Sequence, residues 1–90
     1  MSYQLHLNPK PEKALHDLPE PLRSYVYREL HNLAQSPTAL SKRTTSTHPS
    51  GQLFEIEYET VAVHVLVSVT FKYSQDGISL IVESMEVEFA

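Results

Sequence analysis

The chain has 90 residues, of which 41% are hydrophobic and 20% charged, and its formal net charge is −4. These values predict one small domain with a single two-layer core. The absence of cysteine excludes disulfides and thiolate chemistry, and the acidic balance disfavours a nucleic-acid binder that neutralises phosphates with clustered cations.

The N-terminal residues do not resemble a targeting segment. Met1–His6 has neither a basic region nor a long apolar core, and apolar runs such as Val61–Val63 are far too short to span a bilayer. We therefore expect no secretory signal, no membrane partner and a cytoplasmic location.

The first third of the chain predicts a strand followed by two helices. Tyr3–Leu7 alternates apolar and polar residues, as a short strand does, and Asn8-Pro9 resembles the start of a helix. A second helix is predicted to end near Gln35. Its apolar residues follow spacings of four, four and three, which place them on one face: Leu22, Val26, Leu30 and Leu33. The two helices, joined at Leu18–Glu20, predict a helical hairpin.

The segment from residue 37 to residue 51 is polar and rich in hydroxyl groups. It includes Lys42, Arg43 and His48. We expect it to be an irregular loop, and loops of this length are often functional.

Three apolar runs predict a sheet in the second half: Leu53–Glu59, Val61–Tyr73 and Ile78–Phe89. In the middle run, seven residues share one parity and are predicted to face the helices: Val61, Val63, Val65, Val67, Val69, Phe71 and Tyr73. In the first run, Phe54, Ile56 and Tyr58 share the inward parity, whereas Glu55, Glu57 and Glu59 would face outward.

The last run changes phase. Its apolar residues are even-numbered up to Val82 and odd-numbered from Met85 onward, so we expect a β-bulge or a strand break near Glu83-Ser84. Asp76-Gly77 before it favours a tight turn. The predicted order is β-α-α-β-β-β over one domain, residues 1–90: an α+β fold with a helical hairpin packed on one face of a small antiparallel sheet.

This order and several local sequences resemble the RelE/ParE toxin superfamily. The residues concerned are Tyr3–Pro9, Leu15–Pro19 with Leu22, Leu30–Pro37, Gly51–Ile56 and Val69–Tyr73. The resemblance implies a toxin of a type II toxin–antitoxin pair. RelE-like members cut messenger RNA in the ribosome, ParE-like members inhibit DNA gyrase, and both are held inactive by an antitoxin.

RelE-like nucleases carry Lys and Arg on the sheet and in the loop before it, often with a Tyr or His near the C-terminus. The matching candidates for phosphate binding and proton transfer here are Lys42, Arg43, His48, Lys72 and Tyr73. The sequence departs from the family in offering glutamates where cations are expected: Glu55, Glu57, Glu59, Glu83, Glu86 and Glu88. These carboxylates would repel RNA phosphates, so RNA binding is predicted to be weak or absent.

The outward glutamates of the first run have three interpretations. With His64, they form a docking surface for a protein partner, or they bind a metal through oxygen ligands, or they only keep an exposed face polar. The spacing of His6, His16 and His31 does not predict a zinc site, and the sequence has neither a phosphate-binding glycine loop nor a nucleophile motif. We therefore predict no cofactor and no metal.

Three functions stay open. The first is a toxin-like component of a type II toxin–antitoxin module that binds an antitoxin-like protein, with the acidic face arguing against ribonuclease activity. The second is a non-enzymatic interaction module that docks through Glu55, Glu57, Glu59 and His64. The third is a ribosome-dependent mRNA endonuclease. A homodimer through the last strand, by Met85, Val87 and Phe89, is a further partner hypothesis.

Overall fold

The computed structural model describes residues 3–35, 44–48 and 51–89. In chain order they form β1 (Gln4–Leu7), α1 (Pro9–His16), α2 (Leu22–Gln35), β2 (Thr44–His48), β3 (Gly51–Glu59), β4 (His64–Tyr73) and β5 (Ser79–Phe89). The strands make one sheet in the order β1-β5-β4-β3-β2. Both helices pack on one face of it, which confirms the predicted α+β class and element order.

The core lies between the helices and the valine face of the central strand. From α2, the predicted stripe of Leu22, Val26, Leu30 and Leu33 is buried. It packs with alternate residues of the sheet: Phe54, Ile56, Val65, Val67, Val69, Phe71, Leu80 and Val82. Since successive strand residues point to opposite faces, this burial directs the intervening residues of β3, β4 and β5 away from the helices.

The sheet differs from the predicted one at both edges. β1 pairs parallel with β5, in the register Gln4 to Ser79 through Leu7 to Val82, so the sheet is not wholly antiparallel. The element order alone does not fix the direction of the first strand relative to the last. The segment predicted to be an irregular loop contains an additional strand, β2, which pairs antiparallel with the start of β3. Its threonines, Thr44, Thr45 and Thr47, are β-branched and favour strand geometry.

The central strand is shorter than predicted. It begins at His64, and Val61 and Val63 are exposed instead of facing the helices. Thr60 holds the tight turn before the strand: its hydroxyl accepts the backbone N–H of Ala62 at 3.3 Å and that of Val63 at 3.0 Å. At the other end of the strand, Tyr73 is 38% exposed. The alternation of apolar residues therefore begins before the strand does, because Val61 and Val63 in the turn are odd-numbered like the buried valines of the strand.

The predicted bulge in the last strand is confirmed. Thr70 pairs with Ser84 and Phe71 with Val82, so Glu83 is the extra residue of β5. The bulge lets Leu80 and Val82 before it, and Met85 and Val87 after it, all contact the core side. Ile78, which was predicted to begin this strand, lies before it and is exposed.

Two side chains fix local turns. The Glu20 carboxylate accepts the backbone N–H of Ser24 at 2.9 Å and also its hydroxyl, which lowers the pKa of Glu20. In the turn before β5, Asp76 accepts the Ser74 hydroxyl and the Ile78 N–H, and these hydrogen bonds lower its pKa. No helix within the described residues has the length and apolar character needed to cross a membrane.

Candidate functional site

The face of the sheet that points away from the helices has two rows of carboxylates. Glu55, Glu57 and Glu59 alternate with the buried Phe54 and Ile56 on β3, so they form one row. The second row lies on β5 and consists of Glu83, Glu86 and Glu88. We call this surface, with the outward residues of β4 between the rows, the acidic face.

The strand register sets the two rows opposite one another. Ser68 of β4 pairs with Glu55 on one side and Glu86 on the other, and Leu66 pairs likewise with Glu57 and Glu88. Neighbouring strands lie about 4.8 Å apart, so the rows are about 10 Å apart across β4. An uncharged floor separates them, in which Thr70 is only 6% exposed and is hydrogen-bonded to the Ser84 hydroxyl.

Few cations balance this charge. Of the described Lys and Arg residues, only Lys72 lies on the acidic face, and its Nζ is 3.3 Å from a carboxylate oxygen of Glu83. The others belong to the helices: Lys10, Lys13, Arg23 and Arg28. The helix side therefore holds most of the described cations, and the acidic face is strongly negative.

His64 lies at the end of the face near the Thr60 turn. It pairs with Glu59 across the strands, and its Nε2 is 3.5 Å from a carboxylate oxygen of Glu57. One ligand atom from each of these three side chains lies within 4.8 Å of the others. One imidazole and two carboxylates are a donor set that binds divalent transition metals, so these residues could hold such an ion. The sequence predicts a partner surface that includes the same residues.

The residues predicted for catalysis do not share one described surface. Lys72 points outward, whereas Tyr73 is on the helix side, where its ring centroid is 4.9 Å from that of Tyr3. Burial raises the pKa of the Tyr73 phenol, which makes its hydroxyl a weaker acid. Lys42 and Arg43 lie outside the described residues. Of His48 only the backbone is described, in β2 opposite Gly51.

A groove that the sequence analysis missed lies between β1 and the two helices. Its volume is about 750 Å³, and its lining includes Leu5, Leu7 and Leu15. Arg23 also lines the groove and donates from Nη1 to the backbone carbonyl of His16 at 3.3 Å. No local sequence motif predicts this groove, because β1, α1 and α2 form it together and their packing depends on the whole fold.

Comparisons with known proteins give a structural match alone. No family model and no curated protein matches the sequence. The chain is similar to an arginine-to-alanine double mutant of Escherichia coli toxin RelE in the free state, with a TM-score of 0.68 and 15% identity over 94% of this chain and 82% of that chain. It is also similar to a chain of the intact E. coli RelBE toxin–antitoxin complex, with a TM-score of 0.66 and 14% identity over 93% of this chain and 94% of that chain.

These matches span nearly the whole chain, so the protein has the RelE toxin fold. The predicted resemblance to the RelE/ParE superfamily is confirmed at the level of the fold. At 14% and 15% identity the likeness does not transfer the role of any residue.

Proposed function

We propose that the chain is the toxin-like component of a two-protein toxin–antitoxin module and acts by binding a protein partner, without cutting RNA. The support for a module is the RelE fold, which covers 94% of the chain and which in E. coli also occurs in the RelBE toxin–antitoxin complex. The partner would be an antitoxin-like protein encoded beside this one.

The acidic face is the observation that supports a function other than RNA cleavage. RNA binding and phosphodiester cleavage need cations that hold phosphates and stabilise charge in the transition state. Among the described residues, the acidic face presents six glutamates and one lysine, and that lysine is ion-paired with Glu83. Phosphates that approached it would meet carboxylates first.

A second candidate is a non-enzymatic interaction module with no toxic activity, docking through Glu55, Glu57, Glu59 and His64. The three glutamates form one row of the acidic face, with His64 at the end of that row, and this grouping favours it. In the remaining alternative, an mRNA endonuclease, the residues for phosphate binding and proton transfer would be Lys42, Arg43, His48, Lys72 and Tyr73.

The test is expression of the chain with and without its genomic neighbour, scored by growth and by co-purification. The proposal predicts growth arrest by the chain alone, relief and co-purification with the neighbour, and unchanged arrest when Lys42→Ala and Arg43→Ala are combined. A matched control removes two cations from α1 by Lys10→Ala and Lys13→Ala.

The outcomes separate the three functions. Arrest that is lost in the Lys42 and Arg43 variant but kept in the α1 variant would establish the endonuclease and refute our proposal. Normal growth on expression of the chain alone would refute the toxin-like role and leave the interaction module as the better account.

A further inference from the structure

We infer that the acidic face is a docking surface for an extended, lysine- and arginine-rich protein segment that lies along β4 between the two carboxylate rows. The inference rests on the proposed protein-binding function and deepens it, because it assigns the surface that binds the partner and the chemistry of the partner segment. The occupant is argued from charge complementarity and from the spacing of the rows.

The first step is that the carboxylates are available. In the part of the chain that the structure describes, Glu83 is ion-paired with Lys72, and Glu57 lies near His64. No cation of the described residues lies within ion-pair distance of Glu55, Glu86 or Glu88. These three carboxylates can therefore accept hydrogen bonds from a partner without first breaking an ion pair of the described residues.

The second step is that the rows match an extended chain. The carboxylates of Glu55, Glu57 and Glu59, and likewise those of Glu86 and Glu88, repeat at about 7 Å, every second residue of a strand, and the rows are about 10 Å apart. Alternate side chains of an extended segment repeat at the same distance and project to opposite sides. Consecutive cations would thus reach both rows, whose nearest members are the facing pairs Glu55 with Glu86 and Glu57 with Glu88.

The third step is that the floor between the rows accepts a polypeptide. Leu66 is partly exposed, Ser68 is uncharged, and Thr70 is buried with its hydroxyl bonded to Ser84. A neutral, partly apolar centre bordered by charge is the usual anatomy of a protein interface. An RNA strand would place its phosphates against the same rows, where they are repelled.

The experiment measures fluorescence anisotropy of a dye-labelled synthetic peptide with consecutive lysines, titrated with the full chain at about 50 mM salt. A second peptide carries the same number of lysines at alternate positions, so that in an extended form its cations reach one row. Single-stranded RNA is the third probe. The test variant combines Glu57→Gln with Glu88→Gln, and the matched control combines Glu12→Gln with Asp17→Asn, which removes the same charge from α1 and from the residue that caps its C-terminus.

The expected result is that the consecutive-lysine peptide binds more tightly than the alternate one. Its dissociation constant should rise about fivefold in the test variant and less than about twofold in the control. Equal weakening in both variants, equal affinity of the two peptides, tighter binding of RNA, or no peptide binding would each overturn the inference. Co-purification with the neighbour is a separate readout, so the toxin–antitoxin proposal can hold even if the peptide does not bind.

Discussion

Deletion of Glu83 tests the register of the last strand and, through it, the direction in which the carboxylates point. Glu83 is the extra residue between Ser84, which pairs with Thr70, and Val82, which pairs with Phe71. Its removal leaves both pairings intact and makes β5 a regular strand. We therefore expect the shortened chain to fold with its core unchanged.

The expected change in the free energy of unfolding follows from the contacts that the deletion removes. Glu83 is 24% exposed and its partner Lys72 is 54% exposed, and such a solvated ion pair contributes about 0–1 kcal/mol to the free energy of unfolding. A matched deletion of Ser68, in the regular part of β4, shifts one half of that strand by one residue. Two buried side chains then turn outward, either Val65 and Val67 or Val69 and Phe71. At about 1.5–3 kcal/mol for each buried side chain, the free energy of unfolding falls by about 3–6 kcal/mol.

The assay is urea unfolding followed by circular dichroism. For the Glu83 deletion, the midpoint should fall by less than about 1 M, given a slope of about 1 kcal/mol per molar urea for a domain this small. The Ser68 deletion should unfold at a far lower concentration or not fold at all, since a small domain has only about 5–15 kcal/mol of stability. Equal loss of stability in the two deletions would refute the assigned register.

Three further predictions, the first with Val61→Ala as its control, test other parts of the fold. Leu30→Ala, in the fully buried stripe of α2, should lower the free energy of unfolding by about 2–5 kcal/mol. Val61→Ala, in the exposed turn, should change it by less than about 0.5 kcal/mol. Equal effects of the two substitutions in urea unfolding would mean that the helix does not cover the sheet. Gly77→Ala should cost about 1 kcal/mol because Gly77 has a φ of +74° with nothing near its Cβ position, and an unchanged melting temperature would argue against that turn. Asp76→Asn should destabilise the chain at neutral pH but not in acid. Hydrogen bonds in the turn hold the pKa of the Asp76 carboxyl below its ordinary value of 3.8, so they stabilise the fold above pH 3.8, and this stabilisation is lost as the pH falls through the folded-state pKa. A variant effect that does not shrink as the pH falls below 3.8 would contradict the turn's hydrogen bonds.

Periodicity predicted the core well because burial on one face leaves a period of two in strands and of 3.6 in helices. The stripe from Leu22 to Leu33, the inward Phe54 and Ile56, and the bulge at Glu83 all followed from such patterns and are present in the structure. The pattern failed at Val61 and Val63, where Thr60 takes the chain into a turn by hydrogen bonds that have no periodic signal.

The sheet edges and the site were less predictable for a different reason. The parallel pairing of β1 with β5 and the additional strand β2 depend on which strands meet in space. The outward direction of Glu55, Glu57 and Glu59 was predictable from parity, but their alignment with Glu86 and Glu88 across β4 required the register. The groove beside Leu5 and Leu7 required the packing of both helices.

The most direct test of the central claim, that the acidic face makes this RelE-fold chain a binder of protein and not of RNA, is the affinity of the purified chain for a dye-labelled single-stranded RNA at about 50 mM salt. We predict no saturable change in anisotropy at protein concentrations up to about 100 μM, because the six glutamates of the acidic face outnumber its one described lysine. Saturable RNA binding in the micromolar range that disappears when Lys42→Ala and Arg43→Ala are combined would contradict the account.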